Sequence, residues 1–375
     1  MNLPPVNRSP LGRSPMSRSI VPEPLRRLPW RVLAPLTALV LFGTLVLYSA
    51  AGQHVWPWAG MHIIHYLVFL AVAVVVSRLP RDSFKRFAYP LYGLLVALLV
   101  LVEAVGRIGG GSQRWLNLGF MTLQPSELMK PVIVLVLARF YDSLPPAMIR
   151  SWRALLPALA LMALPAALVI VQPDLGTALA ICFGAVVVIF LAGVPVWWFV
   201  GGGLAAAITG PLAYFFVLHD YQRKRVTVFM DPEADMLGSG GLFGKGLGNG
   251  TQSHLQYLPE SHTDFVFATM AEEWGFLGGV FVLLVFFVIF RWGLRIAARA
   301  PDRFSRLLAA GMVTTIFFYM AINMMMVMGL APVVGIPLPF MSHGGSSMMT
   351  NMLCIGTIMA VERWAERRTG RRRRD

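Results

Sequence analysis

Apolar residues in this chain gather into long blocks, and charged residues collect in the gaps between them. Ten blocks approach the roughly 20 consecutive apolar residues that a helix needs to cross a bilayer. They run over 32–51, 61–77, 88–105, 126–140, 154–171, 175–193, 196–218, 265–290, 307–329 and 345–361. The pattern predicts an all-α polytopic membrane protein of about ten transmembrane helices. Three blocks are short or interrupted by Pro or Gly. A bilayer tolerates such breaks only where protein or a watery cavity covers the freed backbone groups, so these segments either line a site or are ordinary kinked helices.

Composition agrees with a membrane solvent: 57% of the 375 residues are hydrophobic and 13% charged, more apolar sequence than one soluble core needs. A net charge of +14 raises the question of a nucleic-acid partner, and its placement answers it. Counting the blocks as alternating spans from a cytoplasmic N-terminus puts 25 of the 32 Lys and Arg residues on the cytoplasmic side. The basic excess therefore orients the protein and meets anionic membrane lipid; no nucleic acid is expected. Both termini are predicted to be cytoplasmic. Residues 1–30 read as a disordered basic lead, 31–362 as a single transmembrane domain and 363–375 as a basic tail. One long extracytoplasmic loop, 219–263, joins spans 7 and 8. Cys182 and Cys354 lie in apolar blocks without metal-ligand spacing and read as buried thiols.

The same alternation collects carboxylates and all seven histidines toward the opposite side. Polar chemistry at one end of apolar spans implies a site that opens outward. In "GGGSQRWLNLGFMTLQPSELMK" (109–130), Pro125 and Ser126 mark a helix start, and Glu127 and Lys130 are spaced to pair on one helix face. That pair suits an active centre or a structural lock between helices. Arg114 beside Trp115 suits a phosphate or a sugar face, or an interfacial anchor. Asp174 in "QPDLGTA" is explained by N-capping and is kept as a residue that shapes the site.

"GSGGLFGKGLGNG" (238–250) superficially resembles a phosphate-binding loop, but Gly246 follows Lys245 where that loop needs Ser or Thr. It reads as flexible backbone with one cation, able to close over a head group. Downstream, "PESHTDFVFA" (259–268) sets Asp264, next to His262, at the lip of an apolar block. A helix cap would explain Asp264. A partly desolvated carboxylate there would also accept a proton near neutral pH. Glu272 and Glu273 follow about two turns deeper. Finally, "GIPLPFMSHGGSS" (335–347), with Ser342 and His343, has the small residues that permit a re-entrant turn, and "NMMMVMG" before it reads as adaptable packing. These features leave two classes open: an enzyme acting on a lipid-linked substrate, and a transporter or flippase whose carboxylates relay protons. The chain shows no internal repeat of the kind many transporters carry, which favours the enzyme.

Four motifs, "GSQRWLNLGFMTLQPSELMK", "QPDLGTA", "GGLFGKGLGNGTQSHLQYLPESHTDFVFATMAEEWGFLGG" and "PLPFMSHGGSS", together resemble the SEDS family of shape, elongation, division and sporulation proteins. The likeness spans about 30–362 and is nearer the elongation branch than the division branch. It implies a peptidoglycan glycosyltransferase that polymerises lipid II at the outer face of the bacterial plasma membrane. Its implied partners are lipid II, an undecaprenyl-diphosphate-linked glycan, a class B penicillin-binding protein and elongation-complex membrane proteins. By the same resemblance Asp264 is the essential acidic residue, and Arg114, Glu127 and Lys130 are cavity residues. Asp174, Lys245, His262, Ser342 and His343 complete the candidate set. A divalent cation near Asp264, Mg2+ or Mn2+, is a further expectation; an organic cofactor is not. Two departures from the family pattern are a short stretch at Met236 and Leu237, and His343 where Tyr is usual.

Overall fold

The structure, a computed structural model, describes residues 28–105, 107–109, 112–117, 122–216, 241–249 and 263–372. Each apolar block forms one α-helix: α1 (Trp30–Ala50), α2 (Trp58–Arg78), α3 (Arg81–Val105), α4 (Pro125–Ser143), α5 (Trp152–Val171), α6 (Leu175–Ala192), α7 (Val196–Phe216), α8 (Val266–Arg299), α9 (Arg303–Val327) and α10 (Gly345–Arg372). Counting only the described residues, seven of these are long and apolar enough to cross a membrane. The other three are α4, α7 and α10. Glu127 and Lys130 enter α4, and Ser346, Ser347, Thr350 and Asn351 enter the first turns of α10.

Helix α9 is the central pillar, packed by α4, α6, α8 and α10, while α10 also lies along α2. Large apolar side chains on the outer helices stay exposed, among them Leu67, Leu94, Phe287 and, on the peripheral α7, Trp197, Leu204 and Ile208. In a membrane these face lipid and need no protein cover.

Local signals set the helix ends. Pro125 stands at the start of α4, where its missing N–H costs nothing. Asp174 Oδ1 accepts from the Thr177 N–H at 3.1 Å and caps α6, and α6 stops at Gly193 in the left-handed region. Asp302 caps α9 through the Ser305 N–H at 3.0 Å. Asp264 is not a cap. The N-cap of α8 is Phe265, with no side-chain cap bond, and Asp264 lies one residue outside it.

Two further features were not anticipated. A small antiparallel sheet, β1 (Arg107–Gly109), β2 (Ser112–Asn117) and β3 (Thr122–Leu123), sits between α3 and α4. Helix α10 also runs on to Arg372, so most of the basic tail at 363–375 is helical.

The chain reverses between consecutive helices, so the bundle has two ends. At the basic end, Arg81 pairs with Asp302 at 2.8 Å and Lys85 with Asp142 at 2.5 Å. Arg303 donates to the Tyr141 and Leu144 carbonyls, and Trp364 donates to the Leu79 carbonyl. These contacts tie the α2–α3, α4–α5 and α8–α9 connections and α10 together. The opposite end carries the candidate site.

Candidate functional site

The most buried ionic group lies between α4 and α9. Lys130 and Glu127 are 1% and 5% exposed. The Lys130 ammonium donates to Glu127 Oε1 at 2.6 Å and to the Tyr319 hydroxyl, and Tyr319 donates to Glu127 Oε2 at 2.5 Å. Lys130 Nζ also stands 4.2 Å from the centroid of the Tyr319 ring. One cation, one anion and one phenol thus close a neutral triangle. Closure matters because an uncompensated charge at such a depth is strongly destabilising. The Glu127–Lys130 pairing expected from their spacing is present; Tyr319, from a distant part of the chain, was not foreseen.

A second group anchors the sheet. Arg114 on β2 donates through Nε to the Gln172 carbonyl at 2.9 Å and through Nη2 to the Pro173 carbonyl, while its Nη1 lies 3.8 Å from Asp174 Oδ2. Gln124 Nε2 donates to the same Asp174 oxygen at 3.0 Å. Asp174 therefore caps α6 and gathers Arg114 and Gln124 as well. The planar fork of Arg114, expected at a phosphate or sugar, grips the α5–α6 turn. Ser346 adds a link from α10: its Oγ accepts from the Gln124 N–H and donates to the Thr122 carbonyl, both at 3.1 Å.

The third group surrounds a break in α8. Gly275 takes φ 59° and ψ −152°, which an α-helix cannot contain. Residues 241–249 lie across the gap and replace the lost ladder. Lys245 N–H and Gly246 N–H donate to the Glu272 and Glu273 carbonyls, both at 3.0 Å. Phe276 N–H and Leu277 N–H donate to the Gly241 and Leu242 carbonyls at 3.0 and 3.3 Å. Each backbone group left unpaired inside a membrane would cost several kcal/mol, so this strap is what makes the break tolerable. Gly244 and Gly275 both have positive φ, and a Cβ on either would collide with the backbone of the other strand of this contact.

Side chains pin the same strap. Lys245 Nζ pairs with Glu272 Oε1 at 2.7 Å, and Glu272 is 1% exposed. Ser49 on α1 donates to Glu273 Oε1, and the Gly248 N–H reaches both Ser49 Oγ at 2.9 Å and Glu273 Oε1 at 3.3 Å. The cation expected on a flexible loop is thus paired with Glu272 on α8, and Glu273 holds the strap at the Gly248 N–H.

Asp264 is half-buried at the mouth of α8. Its backbone carbonyl accepts from Asn323 Nδ2 of α9 at 2.8 Å. His262 and the segment around Met236 and Leu237 lie outside the described residues. Ser342 closes the turn after "PLPF", its Oγ accepting from the Leu338 N–H at 2.9 Å. His343 meets Trp58 edge-on at 4.9 Å and stands 6.0 Å from His65, and His62 lies within 3.2 Å of the Phe340 carbonyl. Among the described residues, no three His, Cys, Asp or Glu side chains come together as a metal site. Asn323 carried a readable signal, a lone amide inside an apolar span. Tyr319, Gln124 and Ser49 carried none, because their partners are remote in sequence.

The ten helices among the described residues, with a buried ionic centre at one end and a strapped helix break, define a multi-pass integral membrane protein with a polar site built inside the bundle. The chain belongs to the cell cycle protein family of FtsW, RodA and SpoVE, which it matches over residues 26–367. It is 40% identical over 346 residues to the peptidoglycan glycosyltransferase MrdB of Escherichia coli K12, covering 87% of this chain and 91% of that one. It is 37% identical over 281 residues to the stage V sporulation protein E of Bacillus subtilis, covering 72% and 76%. Among solved structures, it resembles a chain from a study of how a peptidoglycan synthase complex coordinates polymerization and crosslinking, with TM-score 0.77 and 33% identity, covering 90% of this chain and 98% of that one. It also resembles the Thermus thermophilus rod shape determining protein RodA, with TM-score 0.69 and 32% identity, covering 89% and 96%.

Proposed function

We propose that this protein is a peptidoglycan glycosyltransferase of the bacterial inner membrane that polymerises lipid II during elongation and shape maintenance. The observation that carries this reading is the match, along nearly the whole of both chains, to a peptidoglycan glycosyltransferase. The basic end is the cytoplasmic one, by the excess of Lys and Arg there, so the buried ionic centre and Asp264 open outward.

In this reading the acceptor lipid II presents a sugar hydroxyl, and the donor is a glycan whose anomeric carbon is bonded to undecaprenyl diphosphate. Asp264 takes the hydroxyl proton as the oxygen attacks the anomeric carbon. The carbon–oxygen bond to the diphosphate breaks, and the diphosphate leaves with the bonding electrons. One displacement inverts the anomeric centre without a covalent enzyme intermediate. A departing diphosphate needs positive potential more than a proton. Arg114 and Lys245 are already engaged, by two carbonyls and by Glu272, so they contribute potential at a distance rather than direct contact. A class B penicillin-binding protein that cross-links the new strands is the proposed partner.

The test is glycan formation from purified lipid II by the detergent-solubilised full chain. Wild type and Asp264→Asn are compared with and without the partner, and with and without Mg2+ or Mn2+. Polymer from wild type and none from a folded Asp264→Asn is the expected result. A mutant with wild-type turnover overturns the assignment of Asp264. A folded wild type that makes no glycan in any arm, yet moves lipid II across vesicles, restores the flippase reading.

A further inference from the structure

We infer that Asn323 is a positioning residue for Asp264, and that one face of α9 sets this acid relative to the buried Glu127–Lys130 pair. The inference deepens the polymerase reading and rests on it. Asn323 is 0% exposed. Its Nδ2 donates at once to the Asp264 carbonyl at 2.8 Å and to the Ile336 carbonyl at 2.7 Å. Two carbonyl acceptors identify that end of the amide as the nitrogen. Both of its protons are therefore spent on backbone that no regular hydrogen-bond ladder holds: the residue ahead of the α8 N-cap, and the extended segment before "PLPF".

Phe265 caps α8 without a side-chain bond, and Asp264 lies one residue before it. Asn323 restrains the Asp264 backbone from a neighbouring helix. Its Oδ1 has no hydrogen-bond partner among the described residues. An apolar residue of similar size would have avoided that open acceptor, which costs about 1–3 kcal/mol when buried. The amide is thus a poor choice for packing and a suitable one for holding two carbonyls.

Four residues earlier on the same face of α9, Tyr319 grips Glu127 and Lys130. One helical turn, about 6 Å, separates the two grips. Helix α9 therefore fixes the distance between acid and ion pair as a rigid spacer. Its burial among four helices keeps that spacer still.

The experiment measures kcat, KM and thermal unfolding for the full chain carrying Asn323→Ala or Asn323→Asp, beside wild type and Asp264→Asn. Loosening a reacting group by about 1 Å costs on the order of 100-fold, so a folded Asn323→Ala protein should lose about that factor in kcat while KM changes little. In Asn323→Asp, an ionised carboxylate faces the two carbonyls and holds neither, whereas the protonated acid can donate to one. Its activity relative to wild type should therefore rise as pH falls. If Asn323→Ala does not fold, the pH profile of Asn323→Asp decides, and a ratio to wild type that is flat with pH overturns the proposal. A folded Asn323→Ala protein with unchanged kcat also overturns it, as does a loss that only tracks the amount of folded protein. Wild type without polymerase activity overturns the polymerase reading, Asp264→Asn with wild-type activity overturns the assignment of Asp264, and either result takes this proposal with it.

Discussion

The two ends of the bundle use the same ionic residues for different ends. At the basic end, the side chains of the Arg81–Asp302 pair are 36% and 19% exposed, and such pairs join helices whose connecting turns reach water. At the opposite end, Lys130 and Glu127 are almost wholly buried and need Tyr319 to complete them. A half-exposed pair contributes little and risks little. A buried one often adds no net stability over well-packed apolar residues, yet losing one partner is severe. Net stability by itself therefore does not account for the second arrangement.

The comparison breaks first at Lys130. Lys130→Met strands a buried carboxylate and should cost about 3–5 kcal/mol, read as a large drop in melting temperature in detergent. The double variant Glu127→Leu with Lys130→Met should recover most of that stability and none of the polymerase activity. Recovery of both would make the pair purely structural. Next, Gly275→Ala forces a side chain into a positive-φ position against the strap. About 1–3 kcal/mol of destabilisation is expected, with faster proteolysis within 241–249. Unchanged cleavage there would mean that the strap does not depend on the break.

Smaller effects sharpen the contrast. Asp174→Ala removes a helix cap and a shared acceptor and should cost about 1–2 kcal/mol in thermal unfolding. Asp302→Ala at the basic end should cost about 1 kcal/mol and leave lipid II turnover unchanged. Burial by itself would raise the Asp302 carboxyl, but the Ser305 N–H and hydroxyl and the Arg81 guanidinium together outweigh it and hold it below its usual value. Stability from this group is therefore complete above the unfolded carboxyl's range and is lost as pH falls through the lower folded value. Wild type should lose that increment on acidification, and Asp302→Ala should not.

Ten apolar blocks became ten helices because each is a local property: a run of about 20 apolar residues closes its own backbone bonds wherever it lies. Spacing alone also showed that Glu127 and Lys130 could pair, and the "QPD" sequence that Asp174 would cap a helix. The sheet at Arg107–Leu123 was not legible, since its strands are two to six residues long and lie in a turn-rich segment. Nor was the strap. "GSGGLFGKGLGNG" looks like a free loop until Gly275 interrupts α8 and supplies donors and acceptors for it to meet.

The sequence by itself determined the solvent of this protein, the all-helical character of its apolar blocks, the end where its positive charge gathers and the family to which it belongs. Those properties follow from local composition, period and motif. Only the tertiary structure decided which polar groups meet. It placed Tyr319 on the Glu127–Lys130 pair, Asn323 on the Asp264 carbonyl, Ser49 on Glu273 and Arg114 on the α5–α6 turn. In a membrane interior each buried polar group must find a partner, and packing of distant helices, rather than neighbours along the chain, determines which one it finds.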